Sequence, residues 1–226
     1  MSSAIDICNI ALGIVGSDSI VASIDPPDGS VEAGHCARFY PIALAELINW
    51  YPWTFCKKRQ QLAEVTNASK VWAYAYGLPS DCVNPVRVLQ SLTQADYGAY
   101  PLYSYNQIST ADELAVYTER GSADFEIEGQ VLYTHEPYAV LLYTTIVNDP
   151  TKYSPLLDVA LGYLLASFLA GPLIKGGEGA RTSATLRQAV FGQNGNTGLA
   201  GRAAANDANS SSERANHTPK HIQVRG

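Results

Sequence analysis

Apolar residues recur at helical spacing near the start of the chain. A stripe with steps of three and four predicts a helix over residues 3–15, whose wide apolar face needs cover from other helices. A second stripe predicts a helix that Ser30 caps and Pro52 ends. Pro41 lies inside this second stripe and removes one backbone donor, so we expect a kink near residues 35–37.

From residue 55 the period changes to that of β-strands. Six short segments rich in β-branched and aromatic residues are separated by turn residues, which is typical of strands. They are residues 71–76, 86–92, 113–118, 124–128, 131–135 and 139–147. Gly129 predicts a hairpin between the fourth and fifth segments. Residues 94–109, with four tyrosines, predict a long loop of the kind that makes contacts.

Helical patterns return after residue 153. Pro155 suits the first position of a helix that is apolar almost all round and is predicted to stop at Gly171 and Pro172. Residues 156–174 approach the length of a membrane span, but Asp158 and Pro172 argue against a membrane-anchored module. A helix buried on several sides, in the core or between subunits, explains the same pattern. Residues 182–191 predict one further helix.

The last segment, residues 193–226, has a different composition. It has no aromatic residue and few large apolar ones, so it cannot build a core of its own. Four basic and two acidic residues give it a charge of +2, which leaves -8 for the rest of a chain whose formal net charge is -6. This contrast predicts an arm that orders on a partner. Glycines at every third position from Gly192 to Gly201 leave a flexible linker and a helix packed against another chain equally open.

Composition excludes several classes of function. Hydrophobic residues make up 46% of the 226, enough for a core without disulfides or metal. An acidic protein has no electrostatic reason to bind nucleic acid or an anionic membrane. The spacing of the cysteines matches no zinc or redox motif, so we predict small buried apolar side chains in a reducing cytosol. They are Cys8, Cys36, Cys56 and Cys82.

The sequence offers little catalytic chemistry. Residues 176–179 lack the lysine and hydroxyl of a phosphate-binding loop, and the four histidines are scattered. His135 and Glu136 are adjacent in a strand and face opposite ways. Glu126 and Glu128 share one strand face about 7 Å apart, a separation that glycoside hydrolysis could use, although a solvated strand face is the commoner meaning. We predict no catalytic, cofactor-binding or metal-binding residues.

Several short stretches occur in a characteristic order. They are residues 11–16, Ile20, residues 23–25 with Gly29 and Ser30, the spacing of Ala33, Cys36 and Tyr40, the Pro-Trp-Thr-Phe turn at 52–55, the Tyr-Gly-Leu-Pro-Ser-Asp-Cys run at 76–82, and residues 164–173. This ordered set covers most of residues 4–192 and resembles the podovirus tail tubular protein A and tail adaptor family. The loose glycine-rich run after Phe191 and the proline at position 41 depart from the family pattern.

The resemblance implies an assembly and its partners. Members form a ring, a dodecamer, between the portal protein and the tail nozzle or tail tubular protein B, and DNA passes through its lumen without specific binding. It also implies a location in the tail of the virion after assembly in the host cytoplasm, with no membrane partner. It brings no catalytic residues and no cofactor.

The sequence therefore predicts an α+β protein with four segments. Residues 1–54 and 150–192 form an α-helical bundle, residues 55–149 form a β-rich insertion, and residues 193–226 form an extended C-terminal arm. The predicted function is a structural head-to-tail adaptor and not an enzyme. A tail-associated glycan or peptidoglycan hydrolase is the alternative.

Two sets of residues are predicted to serve the adaptor function. The arm docks on the portal, and its candidate contacts are Lys220, Ile222 and Arg225. A structural hinge lies where the chain changes direction, and the residues that hold it are Pro52, Trp53 and Phe55.

Overall fold

The protein has a mixed α+β fold, with helices towards both ends of the chain and strands between them. The computed structural model describes residues 2–91, 117–174, 176–193 and 197–209. The chain divides into two compact units. The helical unit comprises Met1–Phe55 with Val147–Gly226, and the β unit comprises Cys56–Ile146. These limits lie close to the boundaries that the change of sequence period indicates, at 54/55 and 149/150.

Helices form the described part of the helical unit. They are α1 (Ala4–Val15), α2 (Val31–Trp50), α3 (Pro155–Ile174), α4 (Gly176–Phe191) and α5 (Leu199–Ala208). Single turns of 3₁₀ helix occur at Thr54–Cys56 and Pro150–Lys152. The predicted helix at 182–191 is therefore the second half of α4, which begins six residues earlier.

Local capping explains where the first two helices begin and where α1 ends. The Ser3 hydroxyl accepts the Asp6 N–H at 3.1 Å, while the Asp6 carboxylate accepts the Ser3 N–H at 2.8 Å, which is a capping box. Gly16 ends α1 in the left-handed conformation with φ of 86°, which glycine adopts without strain. Ser30 caps α2 by accepting the Ala33 N–H at 3.1 Å. The predicted starts of both helices are confirmed.

Prolines lie inside both long helices. α2 continues through Pro41 to Trp50, and α3 continues through Pro172 to Ile174. The predicted stop at Gly171 and Pro172 is therefore wrong. A proline removes one backbone donor, and the tertiary packing of a long helix can outweigh that loss because most helical stability comes from burial of its faces.

α3 is the central helix of this unit. It contacts α1, α2, α4 and α5, so its apolar surface is covered on several sides within the chain. This confirms a core helix. Among the described helices, α3 has the length and composition of a membrane span. Of its apolar stretch of 18 residues, 61% is buried inside the protein. Its buried residues are Leu157, Asp158, Ala160, Leu161, Gly162, Leu164, Leu165, Ala166, Ser167, Leu169 and Ala170.

Antiparallel strands form two sheets in the β unit, within the residues that the structure describes. The strands are β1 (Lys57–Gln61), β2 (Ala63–Glu64), β3 (Tyr74–Gly77), β4 (Asn84–Ser91), β5 (Tyr117–Ala123), β6 (Phe125–Glu128), β7 (Val131–Thr134) and β8 (Val140–Thr144). One sheet has the order β1-β8-β4-β5 and the other β2-β3-β7-β6. Both sheets contribute to one apolar core, formed by Leu62, Tyr76, Val88, Ala123, Leu132, Ala139, Leu141 and Tyr143.

Most strand predictions are confirmed, with shifted ends, and residues 113–116 of the predicted strand 113–118 lie outside the described residues. β6 and β7 form the predicted hairpin, and Gly129 at its turn has φ of 62°. β1 and β2 were not predicted, because the sequence Lys-Lys-Arg-Gln-Gln of β1 carries no apolar alternation. β1 pairs with the buried strand β8, which fixes its conformation through backbone hydrogen bonds. The predicted loop over residues 94–109 lies outside the described residues.

A carboxyl group is buried at the start of α3. The side chain of Asp158 is 7% exposed, and its Oδ1 has no hydrogen-bond partner in the described part of the chain. Burial raises the pKa of this carboxyl, and the side chain of Ser2 lowers it by a smaller amount. Burial also raises the pKa of the neighbouring Tyr40 to about 12, with a further contribution from Cys8. Ionised Asp158 is therefore a cost to folding at neutral pH.

We predict that D158N stabilises the protein at neutral pH. Because the folded state holds the Asp158 proton more tightly, stability falls as the pH rises from the ordinary aspartate pKa of 3.8 towards the raised value. Asparagine removes that dependence and the charge. The thermal midpoint at pH 7 should rise, by roughly 2–4 °C for each kcal/mol gained in a chain of this size.

The control for this prediction is D6N. Hydrogen bonds from Ser3 lower the pKa of Asp6, so its stabilising contribution is lost as the pH falls, the opposite dependence. Thermal unfolding followed from pH 4 to pH 8 measures both variants. A midpoint for D158N that is lower than the wild type at pH 7 would contradict the prediction.

Candidate functional site

The chain leaves the helical unit through the predicted hinge residues. Tyr51 is extended, with φ of -144° and ψ of 141°, the conformation that a following proline favours, and α2 ends before Pro52. Trp53 is buried, and its indole N–H donates to the Leu47 carbonyl at 2.8 Å. That carbonyl is in the last turn of α2, where no backbone donor follows in the helix. The Trp53 side chain thus caps α2 and fixes the direction in which the chain continues.

Aromatic rings surround this point and connect it to other parts of the helical unit. We call this group the aromatic junction; it consists of Trp50, Tyr51, Trp53, Phe55, Tyr153 and Phe191. Ring centroids are 5.0 Å apart for Tyr51 and Trp53, and 5.2 Å apart for Phe55 and Tyr153. Trp50 contacts Phe191 of α4 at 6.0 Å. Such pairs add about 0.5–1.5 kcal/mol each beyond burial, so the junction is a rigid structural cluster.

α5 is attached to the aromatic junction. The Asp207 carboxylate accepts two hydrogen bonds from Thr54, one from the backbone N–H at 2.9 Å and one from the hydroxyl at 2.6 Å. Burial raises the pKa of Tyr51, and the negative charge of Asp207 raises it further. The end of α5 is therefore held at the point where the chain leaves α2.

This attachment corrects the boundary predicted for the C-terminal arm. Residues 199–208 form α5, which packs on α3 and α4 with its alanines Ala200, Ala203 and Ala204 buried. The interpretation as a helix is right, but its partner is the chain's own helical unit. Gly198 explains the close approach, because a Cβ there would lie 2.1 Å from the Val190 carbonyl oxygen. An arm that begins at residue 193 is therefore wrong.

The candidate portal contacts Lys220, Ile222 and Arg225 lie outside the described residues. Their role stays a prediction. The structure therefore brings together the hinge residues Trp53 and Phe55, and it leaves the docking contacts untested.

The two glutamates considered for hydrolysis lie on the outer face of β6. Phe125 and Ile127 are partly buried against the core of the β unit, and Glu126 and Glu128, which alternate with them, are exposed. Glu126 Oε2 accepts the indole N–H of Trp72 at 2.9 Å. The Trp72 ring in turn lies 4.8 Å from the ring of His135. These contacts form a cross-strand surface cluster that joins neighbouring segments.

A second polar cluster lies at one sheet of the β unit and was not predicted. The hydroxyl of the buried Tyr143 bonds to Asp81 Oδ1 at 2.9 Å and to Gln60 Oε1 at 3.0 Å, and Lys58 Nζ bonds to Asp81 Oδ2 at 2.7 Å. The Lys58 ammonium, followed by the Tyr143 hydroxyl, lowers the pKa of Asp81. Burial and the same carboxylate raise the pKa of Tyr143, so the phenol stays protonated and acts as a donor.

Arg187 of α4 is a further polar residue that the sequence did not indicate. Its guanidinium lies 5.8 Å from the ring of Phe168 and 5.5 Å from that of Phe191, and it forms an ion pair with Glu46 of α2. Aliphatic and aromatic spacing in the sequence gives no signal for such a contact, because it joins three separate helices. Its geometry is that of a structural cation–π contact.

The described part of the chain contains no group of three or more His, Cys, Asp or Glu side chains that could hold a metal ion. The polar clusters around Asp207, Asp81 and Arg187 join elements of the fold. No known protein-family model and no curated protein matches the chain. The candidate functional site is the aromatic junction with the attached end of α5, where the predicted hinge residues Trp53 and Phe55 lie.

We predict that D207A destabilises the helical unit by about 1.5–3 kcal/mol, because it removes a charged acceptor of two hydrogen bonds. N206A is the matched control, since Asn206 is its exposed neighbour in α5. Chemical denaturation followed by tryptophan fluorescence measures both, with Trp50 and Trp53 reporting on this unit. Equal stability of D207A and N206A would show that the Thr54 contact contributes nothing.

Proposed function

We propose that this protein is a structural head-to-tail adaptor of a short-tailed phage, which forms a ring between the portal and the tail nozzle and lets DNA pass. In this proposal it is not an enzyme, it needs no cofactor, and it resides in the tail of the virion after assembly in the host cytoplasm. Its partners are copies of itself, the portal protein and the nozzle protein.

The observation that carries the proposal is the position of the residues on which the family resemblance rests. Gly16 ends α1, and Cys36 and Tyr40 are buried on α2. Trp53 caps α2, and Asp81 holds Tyr143. In the described chain each of these residues helps to hold the framework together. Motif residues that all serve the framework fit a family whose function is assembly.

Charge supports the same proposal. The chain carries a formal net charge of -6, and the segment after residue 192 is basic while the remainder is acidic. An acidic body repels the phosphates of passing DNA and avoids retaining it. The basic segment offers electrostatic complementarity to an acidic partner surface, which favours fast and specific association.

Large apolar side chains at the surface also fit an assembly role. In the helical unit, Ile20 is 82% exposed and Val31 is 69% exposed. In the β unit, Val71 and Tyr138 are exposed to a similar degree. Single exposed apolar residues are common on monomers, but several of this size agree with surfaces that contact other subunits.

We predict that removal of residues 210–226 abolishes attachment to portal rings and leaves the subunit folded. The deletion spares α5, whereas removal of residues 201–226 also takes away its buried Ala203 and Ala204 and its Asp207. Portal rings of the same phage are mixed with each chain, and the mass of the complexes is measured by native mass spectrometry. Circular dichroism and thermal unfolding show whether each truncated subunit is folded.

A triple substitution tests the candidate contacts directly. K220A/I222A/R225A should weaken portal binding at least about tenfold, since each interface anchor contributes about 1 kcal/mol or more. K70A, which removes an exposed lysine of the β unit, is the control. Wild-type binding by the triple variant and by the shorter chain that ends at residue 209 would refute docking through this segment. A wild-type protein that never forms rings, alone or on portals, would refute the adaptor proposal.

The hydrolase alternative receives no support from the arrangement of Glu126 and Glu128. Both are exposed on the outer face of β6, and Glu126 is bonded to Trp72. We predict that purified protein releases no reducing sugar from host peptidoglycan or capsule, and that E126Q and E128Q behave as the wild type. Sugar release that either substitution removes would establish the alternative instead.

A further inference from the structure

Two strands of the β unit have outer edges of opposite charge. Among the described strands, β1 is the last strand of one sheet and β6 is the last strand of the other. β1 begins with Lys57, Lys58 and Arg59, and four of its five residues are exposed. β6 carries the exposed Glu126 and Glu128. An edge strand presents backbone N–H and C=O groups that can pair with a strand of another chain.

The backbone hydrogen bonds of β1 show which of its residues face outwards. The Cys56 carbonyl, one position before the strand, accepts the Thr145 N–H at 3.0 Å and therefore points towards the side of β8. Neighbouring residues along an antiparallel strand alternate in the direction of their backbone groups. Lys57 and Arg59 therefore direct their backbone N–H and C=O groups away from β8, towards the open edge.

The same alternation identifies the outward residues of β6. The Gln130 carbonyl accepts the Leu78 N–H at 2.9 Å and so points towards the side of β3. Odd-numbered residues of β7 then face β6, where they bond to Glu126 and Glu128. Ile127, which lies between the two glutamates, directs its backbone groups away from β7.

These directions favour a parallel contact between the two edges. In an antiparallel pair, outward residues lie opposite outward residues, and Lys57 would face Ile127 or a neighbour of the same phase. In a parallel pair, an outward residue bonds to the two residues that flank the one opposite to it. Lys57 then lies opposite Glu126. Arg59 lies opposite Glu128 two positions later, and all four charged side chains share one face of the joined sheet.

We propose that β1 of one copy of this chain adds in parallel to β6 of a second copy. Backbone hydrogen bonds join the two edges, Lys57 pairs with Glu126, and Arg59 pairs with Glu128. The inference rests on the proposed function, because it assigns the surface through which the subunits of the ring contact each other.

The charges give this contact a direction. Two β1 edges repel each other, and so do two β6 edges, so the unlike edges combine in preference. The contact is therefore head-to-tail, and it produces a closed ring when the rotation between neighbouring copies closes.

Contacts within each copy position the charged groups. The Trp72 indole N–H donates to Glu126 Oε2 at 2.9 Å, which orients this carboxylate before a second copy arrives. Lys58 lies on the other face of β1, where its Nζ is 2.7 Å from Asp81 Oδ2. Lys58 therefore holds its own sheet together and takes no part in the contact.

Charge-reversal variants test the contact by complementation. K57E and E126K should each need an about fivefold higher concentration to assemble, because each substitution places like charges opposite each other. An equimolar mixture of the two should assemble as the wild type does, since alternating copies have opposite charges at every contact. Sedimentation velocity over a concentration series, with and without portal rings of the same phage, measures assembly, and circular dichroism shows that each variant is folded.

Matched controls are K70E and E64K. Lys70 is exposed in the β unit, and Glu64 lies on β2, at the opposite edge of the sheet that contains β6. Both variants should assemble as the wild type does. A water-soluble carbodiimide, which joins an amine to a carboxylate in contact with it, should link Lys57 of isotope-labelled wild-type copies to Glu126 of unlabelled copies, as detected by mass spectrometry.

The outcomes separate this contact from the adaptor proposal. Wild-type rings that K57E and E126K leave unchanged, without the link between Lys57 and Glu126, would overturn the edge contact and leave the adaptor proposal standing. Loss of assembly that the mixture does not restore would also overturn the pairing. A wild type that stays monomeric at every concentration and on portal rings would overturn both.

Discussion

The absence of a polar face on α3 is the constraint on which the helical unit depends. A helix that is apolar almost all round must be covered on several sides, and α1, α2, α4 and α5 each contact it. Two of these helices precede α3 in the chain and two follow it, so both parts of the sequence return to the same core. The segment between them, Cys56–Ile146, forms the β unit.

Close approach to α3 requires small residues at particular positions. A Cβ at Gly162 of α3 would lie 3.0 Å from the side chain of Ile10, and one at Gly179 of α4 would lie 2.8 Å from the Ala170 carbonyl oxygen. These glycines cost helical propensity but allow backbones to pack against each other. The same reasoning applies to α5, which packs through its buried alanines. Each alanine contributes little hydrophobic free energy, but its small side chain lets the helix lie close to its neighbours. Coverage of α3 is thus achieved by backbone proximity as much as by large side chains.

This dependence on small residues explains what could and could not be predicted from the sequence. Ser3, Ser30 and Gly16 are local signals, and the helices that they delimit were predicted correctly. The extent of α3 beyond Pro172 and the existence of α5 depend on tertiary packing, which outweighs local propensity. β1 is polar, and the sequence did not predict it because its conformation depends on pairing with β8, which is distant in the chain. The hinge at Pro52, Trp53 and Phe55 is a prediction from aromatic and proline residues. The hydrogen bonds between Thr54 and Asp207 gave no sequence signal, because these two residues are far apart in the chain.

Polar side chains, like the small residues, hold elements of the fold together. Asp207 holds α5 to the aromatic junction, Asp81 holds Lys58 and Tyr143 together, and Arg187 connects three helices. A carboxylate or guanidinium used in this way is already bonded, and moving it would cost the contacts that it makes. Enzymes instead keep charged groups poised beside a cleft, with pKa values set for proton transfer. Asp207, Asp81 and Arg187 are used for connection, which supports the assembly role proposed for the protein.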